Sequence, residues 1–252
     1  MAWAWVALLV PAITVVLGVV VMWRARRRGS NPGGYNEAAG TVFQAVGALY
    51  AVLLAFIVVN EWNSLQEAST NTFEEANHLG ALYWDARALP PEVGRDLEAT
   101  TQQYAHVVVA KEWPLLGDGG YSPEATALVY RMRDEINALP TDSPRTQLVF
   151  EHSLSTVNDL AAARRERLSQ SGHNVPTVLW IAMAVGAVVT VGFTFFFGLP
   201  KFWTQLLLVG ALAVLVVLSL GLIMMLDQPF VGSIAVQPEA FEIFLRGLPA
   251  QR

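Results

Sequence analysis

The chain has no cysteine. That excludes disulfide bonds, thiol catalysis and thiolate metal ligation. Lysine is almost missing too, since arginine outnumbers it 14 to 2. Such a bias suggests a GC-rich bacterial genome. Charge of either sign is scarce, at 15% of residues against 54% hydrophobic. A chain that apolar is no ordinary soluble domain, and an integral membrane protein is expected. The single basic run, Arg24, Arg26, Arg27 and Arg28, sits beside an apolar segment. It makes no footprint for nucleic acid. A strand-like alternation, an internal repeat and a low-complexity tract are all missing. So are a phosphate loop and a nucleophile with a base at motif spacing, so no enzyme, cofactor or metal site is expected.

What the chain does have is long apolar runs. They cover residues 3–23, 40–60, 175–197 and 202–226. Each has about the 20 residues needed to cross a bilayer core of about 30 Å. Trp3, Trp5 and Trp23 mark the ends of the first run, where indole prefers the interface. Its arginines follow the apolar stretch instead of preceding it, which favours a retained anchor over a cleaved signal peptide. The expected fold is therefore all-α, with four transmembrane helices and a helical, four-helix-bundle-like lobe. The pieces are residues 1–60 (spans one and two with an Arg-rich loop), 61–174 (the lobe), 175–226 (spans three and four) and 227–252 (a C-terminal tail).

The second span runs without a break signal into a polar helical stretch, so one helix is expected to leave the membrane and enter the lobe. Within the lobe, helices are expected over 61–90, 92–113, from Pro123 to Leu139 and over 144–171. Pro90, Pro114 and Pro140 punctuate them. Ser122 before Pro123 and Glu124 is an N-terminal signature, and Asp142 or Ser143 is expected to cap the last helix. The lobe holds 17 acidic against 9 basic residues, a net charge of −8. Apolar residues in the tail suggest a segment packed on the bilayer or on a neighbour. The arginine distribution leans towards a lobe outside the cytoplasm.

Four constellations carry possible function. Gly40, Gln44, Gly47, Ala51 and Ala55 share one face of the second span. Such a stripe suits close helix packing or the wall of a pore. Glu75 and His78 have the Glu-x-x-His spacing of di-iron bundles, but no second pair exists, so a packing or solvated face is expected. Arg164, Arg165 and Arg167 precede the third span and could hold lipid phosphates or pair with Glu74 and Glu75. Asp227, at the end of the fourth span, is either a functional membrane-edge acid or a simple helix terminus.

In this order the motifs resemble a known family. They are the Gly-rich start of the second span, Glu74-Glu75-Ala76-Asn77 with Leu79-Gly80, Tyr104 and Glu112-Trp113-Pro114. Then come Arg164-Arg165 with Arg167-Leu168, Pro176 with Leu179-Trp180, and Asp227 with Pro229, Phe230 and Gly232. The chain is similar to the bacterial bestrophin-like membrane proteins, and more distantly to the bestrophin anion channels. The resemblance implies a pentamer with four spans per subunit, the second span lining the pore and inorganic anions permeant. It also implies a cytoplasmic lobe, against the arginine count. The acidic calcium-binding stretch of true bestrophins is missing here. Pore-lining candidates are Gly40, Gln44, Gly47, Tyr50, Ala51 and Phe56. The expected protein is thus an oligomeric channel of a bacterial cytoplasmic membrane. The alternative is a non-conducting sensor or scaffold whose lobe binds a ligand or partner.

Overall fold

A computed structural model describes residues 9, 13–20, 23–24, 36–89, 91–139, 141, 143–172, 175–196 and 201–249. Of the expected first span, only 9, 13–20 and 23–24 fall among these residues, and they are helical. The rest of that span, the Arg-rich loop from 25 to 35, Pro90, Pro140, Asp142 and 198–200 lie outside the described residues. Among the described residues all regular structure is helical. The main helices are α1 (Asn36–Ala86), α2 (Pro91–Val107), α3 (Pro123–Asn137), α4 (Pro144–Ser169), α5 (Thr177–Phe193), α6 (Phe202–Leu226) and α7 (Glu239–Gly247). They divide into two units, residues 1–62 with 175–227 and residues 63–174 with 228–252.

Helix α1 has 51 residues and so measures about 76 Å. Nothing in residues 40–86 breaks it, since proline is absent and the glycines are isolated. Among the described residues, α1 and α6 are long and apolar enough to cross a membrane, while α5 is apolar but shorter. The expected third span, 175–197, is trimmed at both ends. Pro176 is the N-cap of α5, and Thr194–Phe196 tightens into a 3-10 turn. Among the described residues two helices, not four, thus have the length and composition of a span.

The apolar unit is knit by one face of α1. Tyr50, Leu54 and Ile57 recur at helical spacing and are buried against Met183, Ala187 and Val191 of α5 and Val216 and Leu220 of α6. The Tyr50 hydroxyl donates to the Met183 carbonyl at 3.1 Å. Gly186 makes this approach possible, because a Cβ there would lie 2.4 Å from the Tyr50 ring. At the other end of the unit the Val175 amide donates to Asp227 Oδ1 at 2.7 Å, which ties the start of α5 to the end of α6. Asp227 is thus a buried joint in addition to a helix terminus.

The polar unit is a helical bundle. Ser122 caps α3, and Ser143 caps α4 through a reciprocal pair with Thr146. The expected second lobe helix ends early. After Val107 the chain passes through a π-helical turn, Val108–Glu112, and then a 3-10 turn, Trp113–Asp118. Pro114 has no N–H to continue the α pattern, and the wider turn before it absorbs the change. The tail differs from expectation as well. It folds back into the lobe core, with Phe230 and Phe241 buried. Gly232 has φ +107, a conformation side chains resist, and it closes a loop in which the Val236 amide donates to the Pro229 carbonyl at 2.8 Å.

Candidate functional site

Two regions bring the singled-out residues together, one in each unit. In the apolar unit, α1 presents three faces. Its packed face carries Tyr50, which is 6% exposed and bonded to α5. Tyr50 therefore braces α1 against α5, and its side chain also borders the recess described next. The small-residue face borders a recess of about 670 Å³ between α1, α5 and α6, lined by Gln44, Gly47, Ala51 and Ala55 among others. Gly47 has open space where a Cβ would stand. Gly40 begins the same stripe but does not line the recess.

Phe56 lies nine residues from Gly47, half a turn away at 100° per residue. It belongs to a third face, with Leu49 at 73% exposed, Val52 at 63% and Phe56 itself at 77%. Among the six pore candidates Phe56 is thus set apart, on a different face of α1 from Gly40, Gln44, Gly47 and Ala51. Glu61, at the end of the apolar stretch of α1, is buried, with its Oε1 accepting from Asn60 Nδ2 at 3.2 Å.

In the polar unit, α1, α2, the π turn and α4 bring four charges and a phenol into one buried cluster. Arg167 Nε meets Glu75 Oε2 at 2.6 Å, and its Nη2 meets Glu75 Oε1 at 3.0 Å and Glu112 Oε1 at 2.6 Å. Arg164 Nη2 meets Glu112 Oε2 at 2.6 Å. The Tyr104 hydroxyl donates to Glu75 Oε1 at 2.5 Å, and the Ser122 amide to Glu112 Oε2 at 2.9 Å. The Arg167 guanidinium also lies 5.4 Å from the Trp113 ring and 5.8 Å from that of Phe241, within range of a cation–π attraction. Phe230 meets Trp113 edge-on at 5.5 Å.

Two carboxylates and two guanidiniums cancel. Burial alone would push the Glu112 carboxyl up, but the Arg164 hydrogen bonds and the Arg167 and Arg164 charges hold it below its ordinary value. Burial would likewise lower Arg167, and the Glu75 charge and hydrogen bonds hold it above its ordinary value instead. Burial and the Glu75 charge push the Tyr104 phenol well up. Every oxygen of Glu75 and Glu112 accepts at least one hydrogen bond, so Glu75 is not poised with His78 for iron. No group of three or more metal-ligating side chains occurs among the described residues. Glu74, Asn77 and Arg165 are exposed and stand outside the cluster. Trp180 and Pro229 are buried, Trp180 in the apolar core.

Sequence reading did not assign Glu112 a partner, because the π turn that aims it inward leaves no pattern in the sequence. It also passed over Thr190 of α5, which is 3% exposed and whose hydroxyl has no hydrogen-bond partner among the described residues.

Long apolar helices, an uncovered helix face and a charge-compensated lobe define a helical membrane protein of channel-like build. The family model for the bestrophin-like domain matches residues 9–241, and the chain belongs to the bestrophin-like family. In fold it is similar to a bacterial bestrophin homolog from Klebsiella pneumoniae. One crystal structure of a mutant of that homolog has a TM-score of 0.69 at 13% identity, over 96% of this chain and 98% of that one. Another, phased on zinc, has a TM-score of 0.63 at 13% identity, over 95% of each chain. A crystal structure described as a membrane protein is similar too, with a TM-score of 0.67 at 12% identity over 98% and 97%. At these identities the likeness concerns the fold alone. No curated protein matches the chain at a significant level.

Proposed function

We propose that the chain is one subunit of a homo-oligomeric ion channel in a bacterial cytoplasmic membrane. Each subunit has four spans, α1 lines the ion path, and five subunits close the ring, as the family resemblance implies. The observation that carries this reading is the face of α1 opposite its own packing. Leu49, Val52 and Phe56 stand there uncovered. In a ring with α1 innermost, the face turned away from the subunit's own core is the one turned to the axis. Apolar side chains there form a narrow hydrophobic ring of the kind that gates by dewetting.

Inorganic anions are the permeant class the resemblance suggests. The arginines do not add to that preference, because Glu75 and Glu112 neutralise Arg164 and Arg167. Selectivity then resides in the α1 path itself.

A second reading, a sensor or scaffold, draws on a recess of about 320 Å³ in the polar unit. Gln66, Ser69, Phe73, Gln237 and Glu239 are among its lining residues. Its mixed polarity suits a small ligand.

The test exploits the lack of cysteine. Leu49→Cys, Val52→Cys and Phe56→Cys are made singly, and current is recorded in planar bilayers while a charged thiol reagent is added. Block at these positions, and not at Gly47→Cys or Ala51→Cys, supports the assignment. A conducting protein that the reagent leaves untouched at all three removes this face from the path.

A further inference from the structure

The recess beside the small-residue face of α1 is not needed by the ion path proposed above, and its walls are specific. Tyr50 on Gly186 fixes the register of α1 against α5. The Val175–Asp227 bond, and the electrostatic interaction of Glu61 with Asp227, place the end of the α1 span, the start of α5 and the end of α6 at one end of the unit. Gln44 therefore lies towards the opposite end. So does Thr190, one turn beyond Gly186.

The recess runs along α1 from Phe43 to Val59, about 24 Å at 1.5 Å per residue. That is most of a hydrocarbon core of about 30 Å. Beyond Tyr50, whose hydroxyl is given to the Met183 carbonyl, its walls are aliphatic apart from Ser219, whose hydroxyl is already given to the Leu215 carbonyl at 2.9 Å. The remaining polar side chains are Gln44 and Thr190, both at one end. A buried hydroxyl without a partner costs free energy that a ligand acceptor would recover. Close packing of the recess by the chain itself is prevented by Gly47, which leaves open space.

We infer that this recess is a binding site for one acyl chain of a membrane lipid, its ester end held by Thr190 and Gln44 and its tail extended along α1 towards Val58 and Leu222. The walls ask for a long, unbranched, apolar occupant with hydrogen-bond acceptors at one end only. An ester-linked acyl chain has that chemistry. It would fill the side of the path-lining helix, so lipid composition would bear on how α1 packs.

The assembled protein is reconstituted in vesicles of phosphatidylethanolamine and phosphatidylglycerol, the latter partly carrying a photoreactive diazirine near the end of one acyl chain. After illumination, adducts are mapped by mass spectrometry. The site predicts labelling of Val58 and Leu222 several-fold above that of Leu218 and Val214, exposed residues of α6 outside the recess. Gly47→Leu, which fills the recess, removes the excess, and Thr190→Val, which keeps shape and loses the hydroxyl, lowers it. Ala51→Leu serves as a second filling variant, and the wild-type pattern decides on its own. Labelling in the recess no higher than at Leu218 and Val214 overturns the proposal. So does a disulfide formed between copies when Ala51→Cys and Leu222→Cys chains are mixed, because a second subunit then occupies the recess. None of these readouts depends on conduction, so they stand apart from the channel reading.

Discussion

Arg167 and Glu75 meet as a two-pronged ion pair, 2.6 and 3.0 Å long, between side chains that are both fully buried. The residues are 92 positions apart in the chain. They join α4 to the part of α1 that belongs to the polar unit. Buried pairs add little net stability over an apolar substitute, but removing one partner strands the other charge.

The first prediction follows from that asymmetry. Arg167→Met should lower the unfolding free energy of the lobe by about 3–5 kcal/mol. Arg167→Lys should not restore it, because an ammonium cannot span both carboxylates as the planar fork does. Combining Glu75→Gln with Arg167→Met should recover part of the loss. Thermal unfolding of the purified protein, followed by tryptophan fluorescence, reports all three. An Arg167→Met protein that melts like the wild type contradicts the account.

The second prediction concerns acid. Glu112 is held below its ordinary carboxylate value in the fold, whereas in the unfolded chain it titrates near about 4.3. Its contribution is therefore complete above that unfolded value and is lost as pH falls through the lower folded one. Stability should drop below about pH 4.5. Glu112→Gln should be less stable at neutral pH and flatter across this acid window. Denaturation curves at a series of pH values check it, and equal acid slopes for the two proteins count against it.

A third prediction contrasts two glycines. Gly186→Ala must displace the Tyr50 ring and should cost about 1–3 kcal/mol, the usual price of overpacking. Gly47→Ala meets nothing within 4 Å and should be neutral or stabilising by up to about 1 kcal/mol through helix propensity. Melting temperatures of the two variants in one detergent give the comparison. Equal shifts would mean that Tyr50 does not seat against Gly186.

A fourth prediction settles orientation. Ser155 is exposed on α4, and Ser155→Cys gives a single thiol in a chain that has none. The arginine count predicts labelling by a membrane-impermeant thiol reagent in intact cells. Labelling only after lysis places the lobe in the cytoplasm, as the family resemblance implies.

Much of this fold was legible in the sequence because its signals are local. Proline and serine mark the starts of α3 and α4, and apolar runs mark α5 and α6. The unbroken stretch after Gly40 announces that α1 continues past its apolar part into the polar unit. What the sequence concealed depends on how helices meet. Helical spacing alone sets Phe56 opposite Gly47, but that Tyr50 is held against Met183 and Gly186 emerges only from the packing of α1 on α5. The arginine run before α5 read as a holder of lipid phosphates or a partner for Glu74 and Glu75. Its neutralisation by Glu112 required a π turn that residues Val108–Glu112 do not advertise. The tail's aromatic residues were visible, but their seat on Trp113, Tyr104 and Arg167 was not.

The most direct measurement is ion efflux from liposomes holding the purified protein, with a potassium ionophore clamping the voltage. Chloride and potassium are tested in turn, for the wild type and for Phe56→Ala. The account predicts efflux above empty liposomes for the wild type, and a changed rate in Phe56→Ala with assembly intact. No efflux of either ion from a correctly assembled protein, or identical rates for the two proteins, would contradict the claim that α1 presents Phe56 to an ion path.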